Sequence, residues 1–129
     1  MSNDTPSQRA SRWLAQFEKA LSAADIPAAQ MLFVPDCYWR DLVAFTWNIK
    51  TQEGREAIAH MLAWQVPNVK PSNFRLSGEA TEADGIVDAW FEFETELARG
   101  LGHVRLRAGD QGADQAWTLL TTMVELKGF

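Results

Sequence analysis

Cysteine is almost absent. Cys37 stands alone in 129 residues, so no disulfide can form within the chain. Two histidines and one cysteine are too few for the common structural zinc sites. Lysine and arginine form no run, the net charge is −5 at pH 7 and the pI is near 4.9. The chain therefore lacks the basic footprint of a nucleic-acid binder. No apolar run approaches the ~20 residues of a membrane span. Met1 to Gln8 is polar and lacks the apolar stretch of a secretory signal. These absences predict a soluble, cytoplasmic protein with neither nucleic acid nor membrane as partner. What the chain has in quantity is aromatic: six Trp and seven Phe beside a single Tyr. So much ring surface must enter a core, a pocket or an interface.

The length fits one domain spanning residues 1–129, able to bury roughly two-thirds of its unfolded surface. From Ser7 to Ala24, Trp13, Leu14, Phe17, Ala20 and Leu21 recur at steps of three and four, one face of a helix. Thr5-Pro6 suits its start. Asp25 offers a cap to a second, short helix with Pro27 in its first turn and Met31 to Phe33 at its end, and Pro35-Asp36 punctuates the chain. Cys37 to Phe45 reads as a strand, with Cys37, Trp39, Asp41 and Val43 on one side and Tyr38, Arg40 and Leu42 on the other. After a loop through Trp47 and Asn48, Thr51 to Gly54 leads into a third helix. Its inward face is Ile58, Met61, Leu62 and Gln65, it ends before Pro67, and His60 lies on the surface, four residues after Glu56.

Beyond Pro71 the pattern is strands: Phe74 to Ala80, Ile86 to Leu97, Gly102 to Ala108 and Ala116 to Leu126, with a turn at Asp84-Gly85. A turn at Arg99-Gly100 would set Glu94 against Arg105, Glu92 against Arg107 and Glu96 against His103, and Phe93 against Leu106 on the opposite side. Arg105 and Arg107 then read either as anion-binding groups or as neutralised surface pairs. Trp90 and Ile86 share that polar face, which suggests cover by a partner. Gly100-Leu101-Gly102 has the start of a glycine-rich nucleotide motif, but in a hairpin it reads as a turn feature. The order of elements predicts an α+β domain, helices segregated over a mostly antiparallel sheet.

No nucleophile constellation is present. The candidate for chemistry is Asp41, beside Trp39 on its own face, since an acid among apolar neighbours suits general acid or base work. The alternative is a structural contact with Arg40, Arg55 or a backbone amide.

The order of elements resembles the nuclear-transport-factor-2-like (SnoaL-like, cystatin-like) superfamily, whose cone-shaped curved sheet wraps a pocket. LSAADIPAAQMLFVPDCYWRD (Leu21 to Asp41) resembles the corresponding segment of ketosteroid isomerases. The resemblance places Asp41 at their general base and implies a pocket walled by Phe17, Trp39, Trp47 and Phe74. Phe17 stands where those enzymes carry an oxyanion-hole tyrosine, and no residue matches their second, protonated acid. Without these donors steroid isomerisation loses its main stabilisation. DCYWRDLVAFTWNIKTQEG (Asp36 to Gly54), WFEFET (Trp90 to Thr95) and AWTLLTTMVELKGF (Ala116 to Phe129) resemble an extension that precedes the flavin domain of YUCCA-like flavin-containing monooxygenases. That resemblance implies FAD and NADPH only in dinucleotide-binding folds beyond Phe129, and no cofactor within this chain.

Three functions follow as expectations. The first is a non-catalytic accessory or dimerisation domain with a hydrophobic small-molecule pocket, forming a homodimer through Trp90 and Ile86. The second is a small cofactor-independent lyase or isomerase using Asp41 as base. The third is a partner of a flavin monooxygenase domain acting in trans.

Overall fold

Helix α1 starts where a threonine meets a proline. In the computed structural model of the chain, which describes residues 5–42, 49–108 and 114–126, α1 spans Pro6–Ser22. The Thr5 hydroxyl accepts from the Gln8 amide, and the Gln8 side chain accepts from the Thr5 amide. This capping box satisfies two amides that the helix cannot, while Pro6 occupies a position that needs no amide. Ala10, Trp13, Leu14, Phe17, Ala20 and Leu21 are buried, as the spacing predicts. Ala24, at φ +53°, turns the chain into α2 (Ile26–Gln30), capped by Asp25 through the Ala28 amide.

Strand β1 (Phe33–Leu42) starts four residues earlier than expected. Pro35-Asp36 does not break it but falls in a register shift between Phe33 and Tyr38, where a missing amide is tolerated. The alternation holds: Cys37, Trp39 and Asp41 are buried, Tyr38 and Arg40 exposed. The expected lead-in to the third helix is instead a strand, β2 (Ile49–Glu53), antiparallel to β1. Its polar residues hid it, as edge strands carry them freely. Residues 43–48, and with them Val43, Phe45 and Trp47, lie outside the described residues.

Gly54, at φ +83°, makes the corner into α3 (Gly54–Val69), where a side chain would be strained. Ile58, Met61 and Leu62 are buried as expected, and His60 is exposed. Val66 and Val69, not Gln65, complete the inward face, because α3 runs two residues past Pro67. Burying Val69 offsets the hydrogen bond lost at Pro67.

Five strands follow: β3 (Ser72–Leu76), β4 (Thr81–Ala83), β5 (Ile86–Glu94), β6 (Ala98–Ala108) and β7 (Asp114–Leu126). The sheet order is β2-β1-β7-β6-β5-β3, with β4 also pairing β5. Every pair is antiparallel except β1 with β7. Helix α1 lies against β3 and β5, α3 against β1 and β2, and α2 joins the helices. The architecture is the expected α+β, and the described residues form a mixed sheet of seven strands where five had been anticipated. Among the described residues no helix is long and apolar enough to cross a membrane.

The β5–β6 hairpin corrects the expected register. Its turn is Thr95 to Leu97, where the Ala98 amide donates to Thr95 Oγ1 (3.0 Å) and the Thr95 amide donates to the Ala98 carbonyl (2.8 Å). Glu94 therefore faces Arg99, Trp90 faces His103 and Asp88 faces Arg105. The slip is an even number of residues, so every side chain keeps its expected face. Gly100 and Gly102 are not turn residues: they lie in β6 opposite Phe93 and Phe91, whose rings cover them. A Cβ on Gly102 would come within 2.6 Å of Phe91 Cε1, and one on Gly100 equally close to Phe93 Cε1.

Candidate functional site

The parallel β1–β7 pairing brings Asp41 level with Thr121, eighty residues away in sequence. The Thr121 hydroxyl donates to Asp41 Oδ1 at 2.6 Å, and the Trp39 indole N–H donates to Thr121 Oγ1 at 2.8 Å. An indole nitrogen can only donate, so the hydroxyl accepts from Trp39 and its single proton goes to the carboxylate. All three residues are buried, at 0 to 1% exposure. A hydrogen bond to a charged acceptor contributes about 1.5–3 kcal/mol net, and losing it leaves a desolvated oxygen. A hydroxyl thus supplies one structural contact to Asp41. Arg55 donates to the Phe33 carbonyl (2.7 Å), and Arg40 is exposed on the other face.

The same row continues across the sheet from Asp41 and Thr121 to Gly102 and Phe91. Of the expected pocket wall, the fold brings Phe17, Trp39 and Phe74 together. The Phe17 ring centroid lies 5.8 Å from Trp39 and 5.5 Å from Phe74, and Phe74 stacks on Phe93 at 5.4 Å. Phe33 stacks on Trp39, and Trp13 on Phe17. These rings form one aromatic cluster on the helix side of the sheet. The fourth expected wall residue, Trp47, lies outside the described residues.

Trp90 lies on the opposite, outer face. It is half exposed and packs on His103 with centroids 4.7 Å apart, while Ile86, half-buried on the same face, pairs with Ala83. His103 Nε2 is 3.1 Å from Asp88 Oδ1, and Arg105 Nε donates to the same oxygen at 3.0 Å. Burial pushes the imidazole below its usual 6.5; Asp88 opposes this shift and Arg105 reinforces it. Arg107 pairs with Asp36, Arg99 with Glu125 and Arg75 with Glu92. The two arginines weighed as anion-binding groups are thus neutralised, through other partners than those expected. The outer face carries both signs in near balance on a chain of net charge −5.

Two residues of these sites escaped the sequence reading. Thr121 lies in a strand whose alternation is broken by an extra residue at Trp117, between the Leu106–Ala116 and Arg105–Thr118 pairs, so its facing was hidden. Asp88 was hidden by the hairpin register; the Phe-x-Phe of β5 facing the Gly-x-Gly of β6 was the available signal.

No family model and no curated protein matches the chain. Solved structures do. An NTF2-like protein with a cystatin-like fold from Novosphingobium aromaticivorans superposes with a TM-score of 0.72 at 16% identity, covering 90% of this chain and 80% of that one. A ketosteroid isomerase-like protein from Erwinia carotovora atroseptica gives 0.72 at 13% identity, over 88% and 92%. An uncharacterized protein with a cystatin-like fold from Caulobacter vibrioides gives 0.74 at 15% identity, over 91% and 88%. At such identities the likeness speaks for the fold and leaves function to the site. The chain has the NTF2-like, cystatin-like fold.

Proposed function

We propose that this chain is a non-catalytic accessory domain that pairs with a second copy of itself through the outer sheet face. On the inner face it holds a small apolar ligand beside the aromatic cluster. The observation that carries the reading is Trp90, half exposed on a strand surrounded by paired charges. An acidic chain repels its own copy least through a face whose charges cancel. A tryptophan at the centre of such a face has the character of an interface anchor.

The resemblance to the leading domain of flavin-containing monooxygenases supports the same role, with FAD and NADPH held by a flavin domain on the same or another polypeptide. Gly100-Leu101-Gly102 does not fit a dinucleotide, because it runs within a strand beneath two phenyl rings. A cytoplasmic setting suits the lone thiol of Cys37, which is buried and pushed up by desolvation. Sedimentation velocity tests the pairing. A dimer that Trp90→Glu converts to monomer is the expected result, and a wild-type monomer at tens of micromolar overturns the reading.

A second reading is favoured by a specific observation, the Trp39–Thr121–Asp41 chain. In this reading the domain is a cofactor-independent lyase or isomerase, and Asp41, held through Oδ1, takes a proton from carbon next to a carbonyl. The ketosteroid isomerase-like neighbour shares the fold on which this reading sets that chemistry. The test is exchange of α-protons into D2O for a panel of apolar unsaturated ketones, followed by NMR. The reading expects exchange that Asp41→Asn abolishes; equal rates with the two proteins overturn it.

A further inference from the structure

The centre of the outer face is a single row, Leu120 on β7, His103 on β6 and Trp90 on β5. Resting on the reading of this face as the pairing surface, we propose that pairing is proton-linked: the second copy accepts His103 only as the neutral imidazole, so the dimer holds at neutral pH and loosens in mild acid.

The geometry carries this. Asp88 is the carboxylate that would balance a charged His103, and its Oδ1 is already engaged by Arg105. A protonated His103 would be a second cation on one carboxylate. Glu92, two residues beyond Trp90 on β5, is drawn toward Arg75 instead. From β7 the neighbours of His103 are Thr118, Leu120 and Thr122, none of them ionisable, and Arg40 beyond Leu120 adds positive charge. Trp90 covers one side of the ring. A second copy laid on Trp90 and Leu120 would remove the remaining water from His103 and leave an excess cation there, which is the form burial penalises most. In a two-fold pair this happens twice.

The sign follows from linkage. Free protomers bind protons at His103 more readily than the dimer does, so lowering the pH through the imidazole range favours the protomers. With one proton per protomer titrating at the ordinary 6.5, the dissociation constant would rise about 100-fold between pH 7.5 and 5.5. Because His103 sits below that value before pairing, the expected rise is smaller, threefold or more.

Sedimentation equilibrium of the full chain at pH 7.5, 6.5 and 5.5 measures it for wild type, His103→Gln and Trp90→Glu. A dimer that weakens at least threefold in acid, with a His103→Gln dimer insensitive to pH, is the expected result. A wild-type dimer of constant affinity overturns the proton linkage alone, as does a His103→Gln dimer that weakens equally. A dimer untouched by Trp90→Glu, or a monomer at every pH, overturns the surface assignment and the linkage with it.

Discussion

Replacing Gly102 by alanine is the sharpest test of how this sheet is registered. No positive φ marks Gly102, so alanine suits its backbone, and the exchange should stabilise the fold by about 0.4–1 kcal/mol through the unfolded chain alone. The packing reverses that sign. The new methyl would lie 2.6 Å from both Cε atoms of Phe91, about 1 Å inside ordinary carbon contact. Phe91 has no room to retreat: it is fully buried, 6.0 Å from Phe74 and 5.9 Å from Phe93 between ring centroids. Overpacking of this kind costs about 1–3 kcal/mol. Set against that gain, the net loss is up to about 2.6 kcal/mol, and for a chain of this size the melting temperature should fall by up to roughly 13 °C. The assay is thermal and urea unfolding at one fixed protein concentration, since pairing would make the midpoint concentration-dependent. Phe91→Leu withdraws the offending ring atoms, so in the Gly102→Ala background it should cost at least about 1 kcal/mol less than in wild type. A Gly102→Ala protein as stable as wild type, or more so, with additive double-mutant energies, would refute the placement of Phe91 over Gly102 and with it the register.

Two further predictions use the same unfolding assays. Thr121→Val keeps the side-chain shape but strips the buried Trp39 indole and Asp41 Oδ1 of their shared partner. The expected loss is about 2–4 kcal/mol, and a change below about 0.5 kcal/mol would mean that the chain of hydrogen bonds is not formed. Arg9→Met removes the clamp that ties α1 to β7 through Asp114 (2.6 and 3.1 Å) and to β4 through Glu82 (3.0 Å). The Asp114 hydrogen bond, chiefly, holds the Arg9 guanidinium above its usual value. The variant should lower the urea midpoint by the equivalent of about 1–3 kcal/mol with an unchanged m-value, and no shift would assign the clamp to solvent.

Local pattern carried the helices and the faces, and it failed where pairing is non-local. Three-and-four spacing located α1 and its buried stripe from Trp13 to Leu21, because that periodicity is set within one turn. Alternation put Asp41 inward and Trp90 outward correctly. It could not find the β5–β6 turn, because shifting a hairpin by an even number of residues leaves every face unchanged. The glycines drew the turn toward Arg99-Gly100, the usual meaning of glycine between strands. Their role here is to lie beneath Phe93 and Phe91, and Thr95 closes the turn with its own hydroxyl. Pro67 misled in the same direction: a breaker was read without Val69, whose burial carries α3 past it.

Half of the candidate site was legible for the same reason that the other half was not. Asp41 and Trp39 belong to one strand, so their common face follows from a period of two. Thr121 reaches them only through a parallel pairing between the first strand and the last, which no neighbouring residue announces. The extra residue at Trp117 then breaks the alternation of β7 before it reaches Thr121. An acid on an inward face poses a question that sequence cannot answer, namely what meets it there. The answer decides its character. Here a hydroxyl oriented by an indole fixes one oxygen of Asp41 as an acceptor. Thr121→Val and Asp41→Asn together are the pair of changes that separates a structural carboxylate from a working one. Loss of stability without any ketone exchange to lose would assign the carboxylate to the fold.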